Sequence, residues 1–285
     1  MSFSRNLFRF FIYSNLFIAF CAVVMVYQTC QLLLGIKPSI YFVAFVFFAT
    51  ICSYSFHWYL SPTDIVKNSP RTAWLSRNKN VHLILFFTGL TGVIASALFL
   101  LDHWHWLLLS AFITFLYSAP KIPHAHFRLL RKVALAKTLF LAFVWMYVTT
   151  VLPLLVSNRH WQPDFTLFAA ARFFLIYAIC ILFDYRDREY DKSIGIRSLI
   201  TWLSEKKIDF LFIFSLLCFV LFTVCLAWFD YSFQAISLLL IPGLITAGLY
   251  SYAKKNFSDI LYYFVLDGLM ALSSVLTLIW PYAKH

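Results

Sequence analysis

The chain has 285 residues, of which 62% are hydrophobic and only 12% are charged. A mean hydropathy of +0.80 excludes an ordinary water-soluble domain and predicts a polytopic membrane protein. The formal charge of +11 could suggest a nucleic-acid partner, but the Lys and Arg residues fall in short loops between apolar spans. Membrane topology explains that pattern, and we therefore expect no nucleic-acid partner.

The fold class follows from the apolar runs, which are continuous rather than alternating. With 7 Gly and 9 Pro, the composition favours long helices and disfavours a membrane β-barrel. We expect one all-α membrane domain over residues 1–285. The six cysteines lie within apolar runs and form no Cys-x-x-Cys pair, which predicts packing residues.

Nine candidate transmembrane helices follow in chain order, each near the length that crosses the hydrocarbon core. The first run is too long for a signal-peptide core, and we interpret it as a retained helix. The predicted spans are 10–34, 40–60, 81–101, 104–120, 135–157, 165–184, 208–229, 233–252 and 259–280.

The basic residues predict the orientation of these spans. Of the 23 Lys and Arg residues, all but Lys37, Arg159, Arg172 and Lys284 fall on one face. Because positive charge collects on the cytoplasmic side, the N-terminus is predicted to be cytoplasmic and the C-terminus external. We expect an integral protein of the bacterial inner membrane, with its site on the cytoplasmic face.

The segment 184–191, Asp-Tyr-Arg-Asp-Arg-Glu-Tyr-Asp, closes the sixth span. If the helix continues through it, Asp184, Asp187 and Asp191 share one helix face. Aligned carboxylates at a membrane boundary suit Mg²⁺, which bridges carboxylates to substrate phosphates. Lys192 and Arg197 follow as nearby cations. The alternative is an ordinary solvated helix end, in which acids and bases offset one another.

The stretch 187–199, Asp-Arg-Glu-Tyr-Asp-Lys-Ser-Ile-Gly-Ile-Arg-Ser-Leu, resembles the second aspartate-rich motif of the UbiA superfamily of intramembrane prenyltransferases. The resemblance implies nine transmembrane helices around a central cavity. It also implies that Asp187 and Asp191, with Asp184 assisting, hold Mg²⁺ against a prenyl diphosphate. The prenyl group would then pass to a lipophilic, aromatic acceptor in the membrane.

A second similarity lies at the end of the fourth span, where Tyr117 and Lys121 are spaced like the family's Tyr-x-x-x-Lys element near the diphosphate. The resemblance implies catalytic roles for both. It also implies that Lys121, Arg71, Lys192 and Arg197 contact the diphosphate. An interfacial Tyr and a Lys reaching for the headgroups would look the same without any substrate.

The sequence departs from the family where a first aspartate-rich motif should end the second span. Residues 53–64 contain only one acid, Asp64, and one histidine, His57. His57 could ligate a metal or simply pack at the interface, and Asp64 could serve alone. A catalytically inactive or repurposed member, which binds an isoprenoid or lipid without transfer, is therefore the alternative to an enzyme. A small-solute transporter is a weaker third class, because paired broken helices rich in Gly and Pro are missing.

Arg172 lies inside the sixth span, where a charge must face the bundle interior or a wet cavity. We expect it to pair with Asp267 of the ninth span or to meet a substrate. The run from His124 to Lys137 has four Lys and Arg residues among apolar residues and is expected to lie along the cytoplasmic headgroups.

Overall fold

The computed structural model describes residues 2–60, 69–119, 137–193 and 198–280, and within these ranges all regular structure is helical. The predicted all-α class is confirmed. The α-helices are α1 Ser2–Tyr13, α2 Leu16–Leu34, α3 Ile40–Tyr59, α4 Pro70–Arg77, α5 Lys79–Ala97, α6 Trp104–Ser118, α7 Lys137–Met146, α8 Leu152–Val156, α9 Pro163–Ser193, α10 Leu199–Trp202, α11 Glu205–Val224, α12 Phe233–Ala253 and α13 Asp267–Ile279. Leu98–His103 and Cys225–Phe229 are 3₁₀-helical, and Tyr147–Val151 and Leu261–Leu266 are π-helical.

Within the described ranges, 8 helical segments are long and apolar enough to cross a membrane. One of them, Lys79–Ser118, joins the predicted third and fourth spans into 40 residues. A straight helix of that length would measure about 60 Å, twice the thickness of the hydrocarbon core. The backbone leaves helical geometry at Leu100 (φ −126°, ψ 23°), so α5 and α6 are separate helices. Nine crossings and a cytoplasmic N-terminus stay predictions.

The first predicted span begins too early. Helix α1 ends at Tyr13, and Asn15 has a left-handed backbone (φ 65°) before α2 starts at Leu16. Asn tolerates this conformation better than most residues, and the chain turns there. Arg5 therefore belongs to a separate amphipathic helix whose apolar side chains are largely exposed, as in helices that lie in the membrane interface.

The centre of the bundle is formed by α2 and α9. In the most apolar stretch of each helix, 72% of α9 and 61% of α2 are buried inside the bundle. The corresponding share for Lys79–Ser118 is only 17%. Helix α9 packs against α7 and α11, whereas α2 packs against α3 and α13. Side chains at the ends of these two central helices can therefore face an interior shared by several helices.

Arg172 does not pair with Asp267, and that prediction is wrong. The guanidinium is 6% exposed and binds only neutral oxygens. Its Nη1 donates to Thr29 Oγ1 at 2.7 Å, to Thr149 O at 2.8 Å and to Thr150 Oγ1 at 2.9 Å, and its Nη2 donates to Gln28 Oε1 at 2.5 Å. Gln28 in turn accepts from Ser274 Oγ at 2.8 Å and donates to Thr277 Oγ1 at 3.1 Å. We call this set of seven residues the buried arginine network.

The network explains how a charge is tolerated inside the bundle. The Thr149 carbonyl belongs to a π-helical turn, and such turns often occur where a helix departs from regular hydrogen bonding. Each oxygen supplies part of the solvation that the guanidinium loses on leaving water. Arg172 thereby connects α9 to α2, to the π-helical turn after α7 and, through Gln28, to α13.

The contact between α3 and α5 depends on Gly89. A Cβ at this position would lie 2.8 Å from the backbone N and 2.9 Å from the Cα of Cys52. We expect Gly89→Ala to lower the free energy of unfolding by about 1–3 kcal/mol, since backbone atoms cannot yield to the methyl group. Thermal melting in detergent measures the effect. Gly248→Ala is the control, because nothing lies within 4 Å of its Cβ position, and equal melting of the two variants would contradict the prediction.

Candidate active site

The candidate site lies at the C-terminal end of α9. The helix contains 31 residues and is about 46 Å long, so it extends beyond a hydrocarbon core of about 30 Å. It runs without interruption to Ser193, which confirms that a helix continues through the segment 184–191. Asp184, Asp187 and Asp191 therefore share one side of α9, here called the acidic face.

Lys137, the first residue of α7, lies opposite the acidic face. Its ammonium group interacts electrostatically with Asp184, Asp187 and Asp191, and also with Tyr117. The next hydroxyl along α7, on Thr138, donates a hydrogen bond to Asp184 Oδ2. The expectation that the run from His124 to Lys137 lies along the headgroups is wrong for Lys137, because the packing of α7 on α9 turns it inward. Residues 124–136 of that run lie outside the described residues.

Tyr117 extends this cluster to the ends of α3 and α6. Its ring stacks on that of His57 with centroids 5.1 Å apart and an interplanar angle of 17°. His57 Nδ1 lies 3.4 Å from Ser118 Oγ. Tyr117 interacts electrostatically with Asp184 and Asp187 as well as with Lys137. The structure thus brings Tyr117 to the acidic face, and it gives His57 aromatic and hydroxyl neighbours.

Arg186 also turns into the site, although it precedes Asp187 directly in the sequence. Its Nε lies 2.8 Å from Asp187 Oδ1, and its Nη2 donates to the Tyr263 hydroxyl at 2.7 Å. Tyr263 belongs to the π-helical segment Leu261–Leu266, where the wider turn offsets side chains from their α-helical positions. The last transmembrane segment is thereby joined to the acidic face.

Arg71, predicted to bind diphosphate, is buried at 4% exposure between two aromatic rings. Its guanidinium carbon lies 3.6 Å from the centre of the Tyr263 ring and 4.5 Å from that of Trp58. Nη2 donates to Asn15 Oδ1 at 3.1 Å. The buried Nε has no hydrogen-bond partner among the described residues, so one donor of this guanidinium is unsatisfied there.

A second set of ion pairs surrounds the outer side of the site. Arg188 pairs with Glu205, and Lys254 lies 3.0 Å from Glu205 and 2.7 Å from Asp209. Burial alone would lower the pKa of Lys254, but its hydrogen bonds with Asp209 and Glu205 raise the pKa above its usual value. These contacts hold the ends of α9, α11 and α12 together on one side of the bundle.

Lys192 is placed apart from the acidic face. It is exposed and lies 2.8 Å from the exposed Glu189 on the same helix. The predicted diphosphate contact of Lys192 stays a prediction. Lys121, Arg197 and Asp64 lie outside the described residues.

The acidic face offers oxygen ligands of the kind that bind a divalent metal ion. Within the described ranges, no three His, Cys, Asp or Glu side chains converge closely enough to hold an ion. The donor chemistry nevertheless fits, because three carboxylates act on one cation, the Lys137 ammonium. Oxygen ligands of this kind are those that Mg²⁺ prefers.

The fold is shared with a solved protein. The structure resembles one described as "Apo structure of a UbiA homolog from Aeropyrum pernix K1", with a TM-score of 0.61 and 14% sequence identity. The match covers 94% of this chain and 97% of the other. The model of the UbiA prenyltransferase family matches residues 64–275. The chain belongs to the UbiA prenyltransferase family. No curated protein matches the sequence.

Membership of the UbiA family confirms the resemblance and, together with the apolar helices, shows an integral membrane protein. It suggests intramembrane prenyltransferase activity, and prenyltransferases of this family generally use divalent metal ions. In this UbiA chain, α3 ends with aromatic residues and His57 where the sequence lacks the first acidic motif.

Sequence reasoning missed several residues of this UbiA site. Lys137 and Arg186 were counted only as topological charges, and Tyr263 was not singled out. One feature of the sequence did indicate interior polar residues: the charge of Asp267 inside the last span. That charge predicts a position in the bundle interior, but it does not identify Arg71 and Arg186, the two arginines with which Asp267 interacts electrostatically.

Proposed function

We propose that this protein is an intramembrane prenyltransferase that transfers a prenyl group from a prenyl diphosphate to a lipophilic aromatic acceptor. The observation that carries the proposal is the meeting of the acidic face with Lys137 and Tyr117 at one end of an apolar bundle. Carboxylates and cations together suit a diphosphate with its counterion, whereas the surrounding helices suit an isoprenoid tail. Solvated charge alone would not need this inward arrangement.

Mg²⁺ is the metal that we propose for the site, held by Asp184, Asp187 and Asp191. When bound, it supplies positive charge to the diphosphate oxygens. Lys137 then neutralises a diphosphate oxygen from α7, and the Nε of Arg71, which has no partner among the described residues, offers a further donor. Tyr117 donates a hydrogen bond from its hydroxyl group. Lys121 and Arg197 would add cations from segments that are not described.

Catalysis then follows from where charge develops. As the allylic carbon–oxygen bond stretches, negative charge grows on the leaving diphosphate, and contacts from Lys137 and Arg71 strengthen. Contacts that are stronger in the transition state than in the ground state lower the barrier. Aromatic ring faces that line the bundle interior would stabilise the developing carbocation by cation–π contact.

We also propose that the site opens to the cytoplasm of a bacterial cell. The support is the charge asymmetry of the sequence, which places the basic loops on the cytoplasmic side. Two contacts keep three of these loop regions together. Arg188 pairs with Glu205, and the backbone N–H of Arg71 donates to Asp259 Oδ2 at 2.7 Å.

The alternative is a member of the family that binds an isoprenoid or lipid without transferring it. Two observations favour it. The end of α3 carries His57 and Trp58 in place of an acidic cluster. In addition, Asp187 is already paired with Arg186. A protein that needs only to hold a ligand could dispense with half of a metal site.

The two functions are separated by incubating the purified protein in detergent with Mg²⁺ and radiolabelled prenyl diphosphates of several chain lengths. Enzymatic transfer predicts Mg²⁺-dependent release of diphosphate and a labelled lipophilic product when a phenolic acceptor is present. Binding of the donor without release would support the alternative. A protein that neither binds nor cleaves any donor would contradict both.

Lys137→Met tests the role of the inward lysine. We expect kcat/KM for the prenyl diphosphate to fall about tenfold or more, because a charge-assisted contact with the diphosphate contributes roughly 1.5–3 kcal/mol. Steady-state kinetics of diphosphate release measure the change. Lys206→Met is the control, since Lys206 is an exposed lysine one helix away. If both variants keep the wild-type kcat/KM, Lys137 does not contact the donor.

A further inference from the structure

Asp267 is an interior carboxylate that the mechanism above does not use. It is the first residue of α13, directly after the π-helical segment that carries Tyr263. Its charge acts on Cys21 of α2, Tyr54 of α3 and Cys180 of α9. Asp267 therefore lies where four helices meet, rather than on the lipid-facing side.

The carboxylate of Asp267 has no close partner among the residues that the structure describes. Arg71 and Arg186 act on it electrostatically, yet no described residue forms an ion pair or a hydrogen bond with its side chain. The residue is partly exposed although it lies inside the bundle. A carboxylate kept only for stability would be expected to have a close partner, because an unpaired charge away from water is costly. A substrate that reaches this carboxylate would explain both facts.

The position of Asp267 relative to the acidic face is defined by Arg186 and Cys180. Arg186 binds Asp187 on the side of the diphosphate site and acts on Asp267 on the other. Cys180 lies one turn before Asp184 on α9, further into the membrane. Asp267 is therefore on the apolar side of the site, where a lipophilic acceptor would meet the reactive end of the prenyl chain.

We propose that Asp267 accepts the proton that the acceptor substrate loses during transfer. This inference rests on the proposed prenyl transfer. The allylic carbon–oxygen bond breaks, and its electron pair leaves with the diphosphate. The nucleophilic atom of the acceptor forms the new bond to carbon. Its proton passes to a carboxylate oxygen of Asp267 and from there to water when the product departs.

The groups that face Asp267 support this assignment. Arg71 comes from α4 and Arg186 from α9, and both are cations that attract the Asp267 carboxylate. Tyr54 already accepts a hydrogen bond from Trp145 Nε1 at 3.1 Å, and Cys21 and Cys180 are thiols buried among apolar residues. Of these neighbours, none is an anion that would serve as the proton acceptor instead.

Asp267→Asn and Asp267→Ala test the proposal with radiolabelled prenyl diphosphate, Mg²⁺ and phenol as the acceptor probe. Two reactions are measured separately: release of diphosphate to water without phenol, and formation of prenylated phenol. We expect Asp267→Asn to keep release to water within about twofold and to lose transfer about 100-fold or more, the usual range for removing a general base. We expect formate to restore part of the transfer in Asp267→Ala, because it supplies a carboxylate to the vacated space.

The control is Asp164→Asn, which removes a carboxylate that is 1% exposed and accepts a hydrogen bond from the Tyr231 hydroxyl at 2.9 Å near the start of α9. It should keep both reactions. Wild-type transfer in Asp267→Asn, or no formate rescue, would overturn the role of Asp267 but leave the transferase intact. Aggregation of both Asp267 variants would also overturn it, since the carboxylate would then serve folding. A wild-type protein that releases no diphosphate would instead overturn the proposed function, and this inference with it.

Discussion

Asp187→Asn and Asp191→Asn should each lower the rate of diphosphate release at least about 100-fold, an effect comparable to the loss of one preorganised electrostatic contact at an active site. Each change removes a negative charge from the acidic face that acts on the Lys137 ammonium, so the site holds a divalent cation less well. Asp187→Asn also frees Arg186 from its ion pair. Release of labelled diphosphate at saturating donor and Mg²⁺ is the measurement.

Glu189→Gln provides the matched control on the same helix. Glu189 lies between the two aspartates in sequence, but its side chain is 81% exposed and pairs only with Lys192 among the described contacts. It should keep the wild-type rate. Melting in detergent separates chemistry from folding, since all three variants should remain folded. Unchanged release in both aspartate variants would remove the acidic face from the mechanism.

Arg172→Met should have the largest effect on stability. The variant removes the charged donor from the Thr149 carbonyl and the Gln28 amide oxygen, which keep only the neutral hydroxyl donors of Thr29 and Ser274. Because a hydrogen bond to a charged group contributes roughly 1.5–3 kcal/mol, we expect the free energy of unfolding to fall by about 2–3 kcal/mol after partial relaxation. Arg172→Lys should recover only part of this loss, since an ammonium group has three donors and no planar fork.

Chemical or thermal unfolding in detergent, followed by tryptophan fluorescence, measures the change. Arg159→Met is the control because Arg159 is an exposed arginine in the connection before α9. An Arg172→Met protein that unfolds like the wild type would show that the buried arginine network contributes no stability.

The long apolar runs and the spacing of charge made the overall fold predictable. Each membrane helix must satisfy its own backbone hydrogen bonds, so hydrophobic length alone predicts where spans occur. The departure from helical geometry at Leu100 lies next to the predicted boundary between the third and fourth spans. The break at Asn15 was not predicted, because a single residue's backbone conformation beside an apolar run leaves no mark on hydropathy.

The candidate site was predictable where residues share one helix and unpredictable where they come from several. Asp184, Asp187 and Asp191 follow from helical periodicity. Lys137 and Asp267 reach the same region through the packing of α7 on α9 and of α13 on α2, and sequence spacing carries no information on such packing. Arg172 was expected to pair with a carboxylate, but neutral oxygens from two other segments accept its hydrogen bonds.

Helix α9 connects the buried arginine network with the acidic face through one continuous helix. Arg172 anchors its membrane-embedded part, and Asp187 lies about 22 Å further along the axis. Since a continuous helix bends little over that distance, Asp187 keeps a fixed separation from Arg172. A rearrangement that grips or releases a ligand therefore changes how the neighbouring helices pack on α9. Entry and exit of a ligand then depend on the segments that pack around the acidic face.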